Sequence, residues 1–214
     1  MACFADTLGI LDPFLAYKKI RYLVGHVQGL DIEIHAHNDL GMATANTLAA
    51  IKAGASSVST TVCGLGERAG NASMEEIVMA LKYQEGVTLP MDTSRLKELA
   101  EMVSSASGRA IPPSKPIVGS HVFTHESGIH VDGILKNPAN YEFINPEEVG
   151  QSRRLVIGKH SGTKSLVYKL EQLNTIISQS EASLFLPVIR KKATVLKREI
   201  TDDELLNLYQ VFHC

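Results

Sequence analysis

Cysteine is scarce in this chain of 214 residues: Cys3, Cys63 and Cys214 are far apart and odd in number. That pattern excludes a disulfide framework and a C-x-x-C metal site, and it points to a reducing, cytoplasmic setting. Long apolar runs are missing too, none approaching the roughly eighteen residues of a membrane-spanning helix. The opening stretch MACFADTLGILDPF lacks the basic segment, apolar core and small-residue cleavage site of an export signal, so neither export nor anchoring is expected. Nor is there an excess of charge of one sign. Lys and Arg number 21 against 23 Asp and Glu, a net charge of −2. This leaves no basic footprint for nucleic acid and no polybasic or strongly amphipathic membrane segment. No low-complexity tract or short-period repeat occurs. What remains is a soluble globular chain, 44% hydrophobic, able to build one large domain or two small ones and suited to small-molecule chemistry.

The first hundred residues alternate between strands and helices. CFADTLGI reads as the end of a buried strand entering a loop. LDPFLAYKKIRYLVGHVQG follows as a helix, with Asp12 as N-cap and Pro13 at the first helical position. DIEIHAH is a strand, GMATANTLAAIKAG an Ala-rich helix closed by Gly54, and SSVSTTVCG a third strand. SMEEIVMALKYQEG is a helix in which Ser73 and Glu76 are expected to form a capping box. Leu48 is expected to pack its helix against the strands. Short strands alternating with amphipathic helices imply parallel βα units, an α/β fold. Three such units cannot close an eight-stranded barrel, which takes about 200 to 250 residues. After a further helix, DTSRLKELAEMVSSASG, the Pro-rich stretch RAIPPSKPIVGSHVF reads as an exposed, extended connector. A domain boundary is therefore expected between residues 108 and 109, with a mainly helical α+β subdomain over 109–214.

Two stretches could carry chemistry. In the strand IEIHAH, side chains two apart share a face, so Glu33, His35 and His37 project together. An H-x-H pair of this kind is read either as a metal site or as satisfied core histidines. The loop GLGERAGNAS has glycines that permit close backbone approach, and Asn71 arrives just before a helix N-terminus. It is either part of a site or a glycine-rich loop with a capping Asn. In a parallel barrel both stretches end on the face where barrel enzymes place their chemistry. Two imidazoles and an amide oxygen make a mixed N/O set suited to Zn²⁺, Mn²⁺ or Mg²⁺, to be completed by a carboxylate from elsewhere.

The ordered motifs ADTLGILDPF, HAHNDLGMATANTLAAIKAGA, GLGERAGNAS, HESGIHVDG and YEFINPEEVG resemble the 2-isopropylmalate, homocitrate and citramalate synthases. These are Claisen-type condensing enzymes among the metal-dependent TIM-barrel lyases. The resemblance extends to about Leu173, and the wording of the first motif is most similar to the homocitrate synthases of nitrogen fixation. It implies that His35 and His37 bind a divalent metal, with Asn71 at or near the coordination sphere, and that Thr7 hydrogen-bonds the carboxylate of a 2-oxo acid. It also implies that His130 and Tyr141 reach the active site of a neighbouring subunit for acid–base work, in a dimer of barrels. Glu33 then either holds the substrate or a catalytic water, or makes a salt bridge inside the barrel. The implied reaction joins acetyl-CoA to a 2-oxo acid. Metal-assisted polarisation of the keto group is followed by attack of the acetyl-CoA enolate and thioester hydrolysis.

The family pattern opens on a strand with an R-D-x-x-Q motif, whose aspartate is a metal ligand, and this sequence has no counterpart. The chain therefore reads as about strands six to eight of the barrel. Clostridia that fix nitrogen divide homocitrate synthase into two subunits, and this chain resembles the carboxyl-terminal one. The expected partner is the amino-terminal half of the synthase as a separate chain, and the chain alone is expected to be inactive. The competing class is a non-catalytic relic or assembly module. Among enzymes, 2-isopropylmalate, citramalate and Re-citrate synthases stay open beside homocitrate synthase.

Overall fold

Alternation along one short strand organises the first half of the molecule. In β2 (Ile32–Ala36), Ile32, Ile34 and Ala36 are buried, while Glu33 and His35 on the opposite face are only half-buried. β2 is the middle of a parallel three-stranded sheet, between β1 (Ala2–Asp6) and β3 (Ser57–Ser59). The buried face packs with Ile20 of α1 (Pro13–His26) and with Ala43 and Ala50 of α2 (Ala43–Lys52). Small alanines let α2 lie close to the sheet, and each fully buried Ile side chain contributes about 1.5–3 kcal/mol. Leu48 is half-buried; the buried positions of α2 are Ala43, Asn46, Thr47 and Ala50. These are parallel βα units of the kind found in TIM barrels, and in the described residues both outer strands keep one unpaired edge.

The computed structural model describes residues 1–27 and 29–213; Cys214, one of the three cysteines counted above, lies outside them. Asp12 caps α1 as expected, accepting from the amides of Phe14 and Leu15 at 2.9 Å, with Pro13 next. Two details of the third βα unit differ from expectation. β3 stops at Ser59, and Val62–Gly64 forms a 3₁₀ turn with Cys63 at φ 56° and Gly64 at φ 69°. Two consecutive left-handed residues cannot continue a strand. The expected capping box at α3 (Met74–Gln84) is not made, although Ser73 occupies the N-cap position. Lys115 takes both side chains instead, donating to Ser73 Oγ at 2.5 Å and pairing with Glu76. An ammonium offers the two oxygens stronger, charge-assisted bonds than backbone amides do.

Lys115 also explains why the Pro-rich stretch is no free connector. It folds in turns beyond α4 (Leu96–Ser107), Val118 is buried, and Lys97 Nζ donates to Val118 O at 2.9 Å. The chain divides into two compact units, Met1–Val122 and Phe123–Cys214. Residues 109–122, expected with the second domain, thus belong to the first unit, held there by those lysine contacts.

The second unit pairs two short parallel strands, β4 (Thr124–His125) and β5 (Arg154–Leu155), with four helices: α5 (Gly128–Lys136), α6 (Thr163–Gln172), α7 (Gln179–Leu196) and α8 (Asp202–Phe212). Its core gathers Leu166 and Leu170 of α6, Phe185 and Ile189 of α7 and Leu205 of α8. Capping boxes do form here, at Ser178/Glu181 and Thr201/Glu204. Among the described residues no helix is long and apolar enough to cross a membrane.

Candidate metal centre

Strand register stacks the side chains opposite the helices in tiers. Cys3, Glu33 and Ser57 form one row, and Ala5, His35 and Ser59 the next, nearer the carboxyl ends of the strands. In the lower row Ser57 Oγ donates to Glu33 Oε2 at 3.1 Å. The Cys3 thiol is pushed up by burial and by its hydrogen bond to Glu33. In the upper row His35 Nδ1 meets Ser59 Oγ at 3.0 Å. His37, just past the strand, brings its Nε2 to 3.2 Å from His35 Nε2.

This spacing permits a simple test of fit. If His35 donates its Nδ1–H to Ser59, its Nε2 presents a lone pair to His37. The two rings then either share one proton or share a cation. Two cis ligands at about 2.0–2.1 Å from one ion lie about 2.9–3.4 Å apart, and the observed separation is inside that range. Asn71 Oδ1 is buried and has no hydrogen-bond partner, an arrangement that is costly unless another group satisfies it. His37 Nδ1 is likewise buried and unpartnered, and an ion held at the two Nε2 atoms would leave it so. The donor set fits a divalent ion. It is incomplete from this chain, since the described residues bring together no group of three or more His, Cys, Asp or Glu able to hold a metal.

Asn71 reaches His37 through an isolated β-bridge. The loop glycines make that possible. A Cβ on Gly66 would strike the Asn71 amide, and one on Gly70, at φ 90°, would strike the Gly64 carbonyl. Asn71 Nδ2 donates to Leu65 O at 3.2 Å and Asn71 N to Gly64 O at 3.0 Å. Asn38, next to His37, is used locally: its Oδ1 accepts from Ala43 N at 3.0 Å.

Thr7 lies exposed beyond β1. Asp6, buried beneath it, accepts from Ile10 and Leu11 amides at 3.2 and 3.1 Å, closing the loop. A cross-loop fork that sequence reading missed links three βα connections. Arg68 Nε and Nη2 donate to Asp39 at 2.9 and 3.0 Å, and Nη2 also donates to Thr7 O at 2.6 Å. The hydrogen bond from Arg68 holds the Asp39 carboxyl below the usual range, and Asp39 raises the guanidinium in turn. Both residues stand in quoted motifs; their pairing is long-range and left no local signal.

His130 and Tyr141 belong to the second unit, where their rings lie 4.3 Å apart at 32° and both side chains are exposed. The structure brings these two together, as it does His35, His37 and Asn71 in the first unit. Next to Tyr141, the Glu142 carboxylate is 3% exposed and is clamped by Arg153 Nε at 2.9 Å, Arg153 Nη2 at 2.5 Å and His125 Nε2 at 2.9 Å. Burial pushes this carboxyl up, but the bonds from Arg153 and His125 outweigh it and the net shift is downward.

Comparison with known proteins decides the family. The HMGL-like model matches residues 2–103, and the homocitrate synthase post-HMGL domain-like model matches residues 117–197. The chain belongs to the family of homocitrate, 2-isopropylmalate and citramalate synthases. It is 56% identical to 2-isopropylmalate synthase 2 of Caldanaerobacter subterraneus, over 97% of this chain and 54% of that protein. It is 54% identical to homocitrate synthase 1 of Nostoc sp., over 96% and 54%. With (R)-citramalate synthase of Methanocaldococcus jannaschii the identity is 42%, over 95% and 41%. The chain thus spans about half the length of the first two of these relatives. Among solved structures, an HMG-CoA lyase of Bacillus subtilis shares 25% identity and a TM-score of 0.46, over 51% of this chain and 39% of that one.

Proposed function

We propose that this chain is part of an acetyl-CoA-dependent condensing enzyme, an acyltransferase that converts acyl into alkyl on transfer. In its most specific form it acts as a homocitrate synthase, in which acetyl-CoA, 2-oxoglutarate and water give homocitrate and CoA. The observation that carries the reading is the His35–His37–Asn71 cluster at the carboxyl ends of parallel strands, in a chain matching both domain models of the family. A 2-isopropylmalate synthase is the second reading, favoured by the 56% identity to such a protein.

In this reading His35, His37 and Asn71 hold a divalent ion, Zn²⁺, Mn²⁺ or Mg²⁺, which when bound supplies Lewis acidity toward the keto group of a 2-oxo acid. Thr7 holds the substrate carboxylate. Glu33, one tier below His35, holds substrate or a water molecule through the one carboxylate oxygen not engaged by Ser57. His130 and Tyr141 move protons at the acetyl group and the product, acting on the barrel of a neighbouring protomer in a dimer of barrels. The strands here correspond to the sixth to eighth of the barrel. The remaining strands, with the missing carboxylate ligand, come from the amino-terminal half of the synthase as a separate chain. The unpaired edge of β1 supports such a partner, as do the exposed Ile10 and Phe14 that follow it.

The test is co-expression with that half and measurement of CoA release against pyruvate, 2-oxoisovalerate, oxaloacetate and 2-oxoglutarate. Release with 2-oxoglutarate is expected. Release with 2-oxoisovalerate alone selects the second reading, and no release with any of the four overturns the proposal.

A further inference from the structure

Glu75 is a carboxylate that the proposed chemistry does not use, yet it is 1% exposed in the first turn of α3. A buried carboxylate is costly unless its charge is paired, and Glu75 has such a pair although its Oε1 makes no hydrogen bond. Glu75 Oε2 accepts from the backbone N–H of Cys63 at 3.0 Å. Glu75 Oε1 lies 3.4 Å from Lys115 Nζ, and Lys115 is itself tied to Ser73 and Glu76. Glu76 in turn accepts from Thr44 Oγ1 at 2.8 Å, so the lysine is fixed from α2 and α3 together.

Cys63 is the residue that matters, because it holds a left-handed conformation, φ 56° and ψ 14°, that a side chain disfavours. The two residues that follow present their carbonyls to Asn71. Gly64 O takes its backbone amide, and Leu65 O takes its side-chain Nδ2. With Nδ2 committed to Leu65, the orientation of the amide plane is set, and Oδ1 is left buried and unpartnered. Glu75 therefore holds the turn, and the turn aims Asn71.

We infer that Glu75, braced by Lys115, is a positioning residue for metal binding at His35, His37 and Asn71. This rests on the metal reading of those three residues. Supporting groups of this kind typically change metal affinity by about 10–100-fold when removed.

The experiment is calorimetric titration with Zn²⁺ of the synthase assembled with its amino-terminal half, taking the component lost in His37→Ala as the site. Glu75→Ala should weaken that component about tenfold or more. Glu75→Gln should keep most of it, because its amide oxygen still accepts from Cys63. Leu81→Ala, a packing change on the same helix, should lower Tm and leave the affinity unchanged. Adding Cys63→Gly to Glu75→Ala should restore affinity, since glycine adopts the left-handed turn unaided; this pair carries the test if Glu75→Ala alone does not fold. Wild-type affinity in Glu75→Ala beside a weakened Asn71→Ala overturns the inference and leaves the metal reading standing. So do equal losses in Glu75→Ala and Leu81→Ala, or a double variant that stays weak. Wild-type affinity in Asn71→Ala removes the ligand reading and the inference with it.

Discussion

Replacing Glu142 by alanine isolates the buried clamp of the second unit. The carboxylate is 3% exposed, Arg153 28% and His125 10%, so truncation strands a guanidinium and an imidazole that are both largely out of water. Breaking a buried pair by removing one partner costs about 3–5 kcal/mol. Arg153 can recover some hydration through its exposed part, which places the expected loss near the low end, about 3 kcal/mol. The pH dependence has a definite sign. The carboxyl is held below its ordinary value by Arg153 and His125 against the burial that raises it. Its contribution is therefore fully present above the unfolded pKa of about 4.3 and is lost as pH falls through the lower folded value. Urea unfolding followed by circular dichroism, at pH 7 and again below pH 4, should show wild type and Glu142→Ala far apart at the first pH and converging at the second. A difference at pH 7 under about 0.5 kcal/mol, the scatter of ordinary surface changes, would refute the reasoning. So would a gap that widens in acid.

Gly66→Ala should leave secondary structure intact but weaken Zn²⁺ binding in calorimetry, because the new methyl group meets the Asn71 amide. In the assembled enzyme, His37→Ala should abolish CoA release without changing complex formation by gel filtration. Ile34→Ala, from a fully buried strand position, should cost about 2–5 kcal/mol in urea unfolding. If His130 and Tyr141 act on a neighbouring barrel, mixing inactive His37→Ala and His130→Ala complexes should restore part of the activity once subunits exchange. No recovery despite demonstrated exchange would mean that the crossed arrangement is wrong.

What was legible in the sequence was whatever depends on neighbours in the chain. The Asp12–Pro13 cap and the same-face placement of Glu33 and His35 follow from local geometry, and the structure shows both of them. What failed depended on distant residues. S-x-x-E reads identically at 73–76 and 178–181, yet only the second forms a capping box, because Lys115 arrives from 39 residues beyond Glu76 to claim the first. Cys63 is an ordinary strand residue by propensity, and in its left-handed turn it donates its amide to a carboxylate twelve residues on. The Arg68–Asp39 fork and the Glu142 clamp are likewise long-range pairings of ordinary charged residues. Within the candidate site, residue types and spacing singled out the histidines and Asn71 as candidates. The contacts around them needed coordinates.

The central claim is that His35 and His37 are metal ligands of a condensing enzyme. Zn X-ray absorption on the Zn²⁺-loaded assembled synthase tests it most directly. Two imidazoles and otherwise oxygen neighbours are predicted, with the imidazole scattering lost in His35→Ala, His37→Ala protein. A sulfur shell, or imidazole scattering that survives the double substitution, would contradict it.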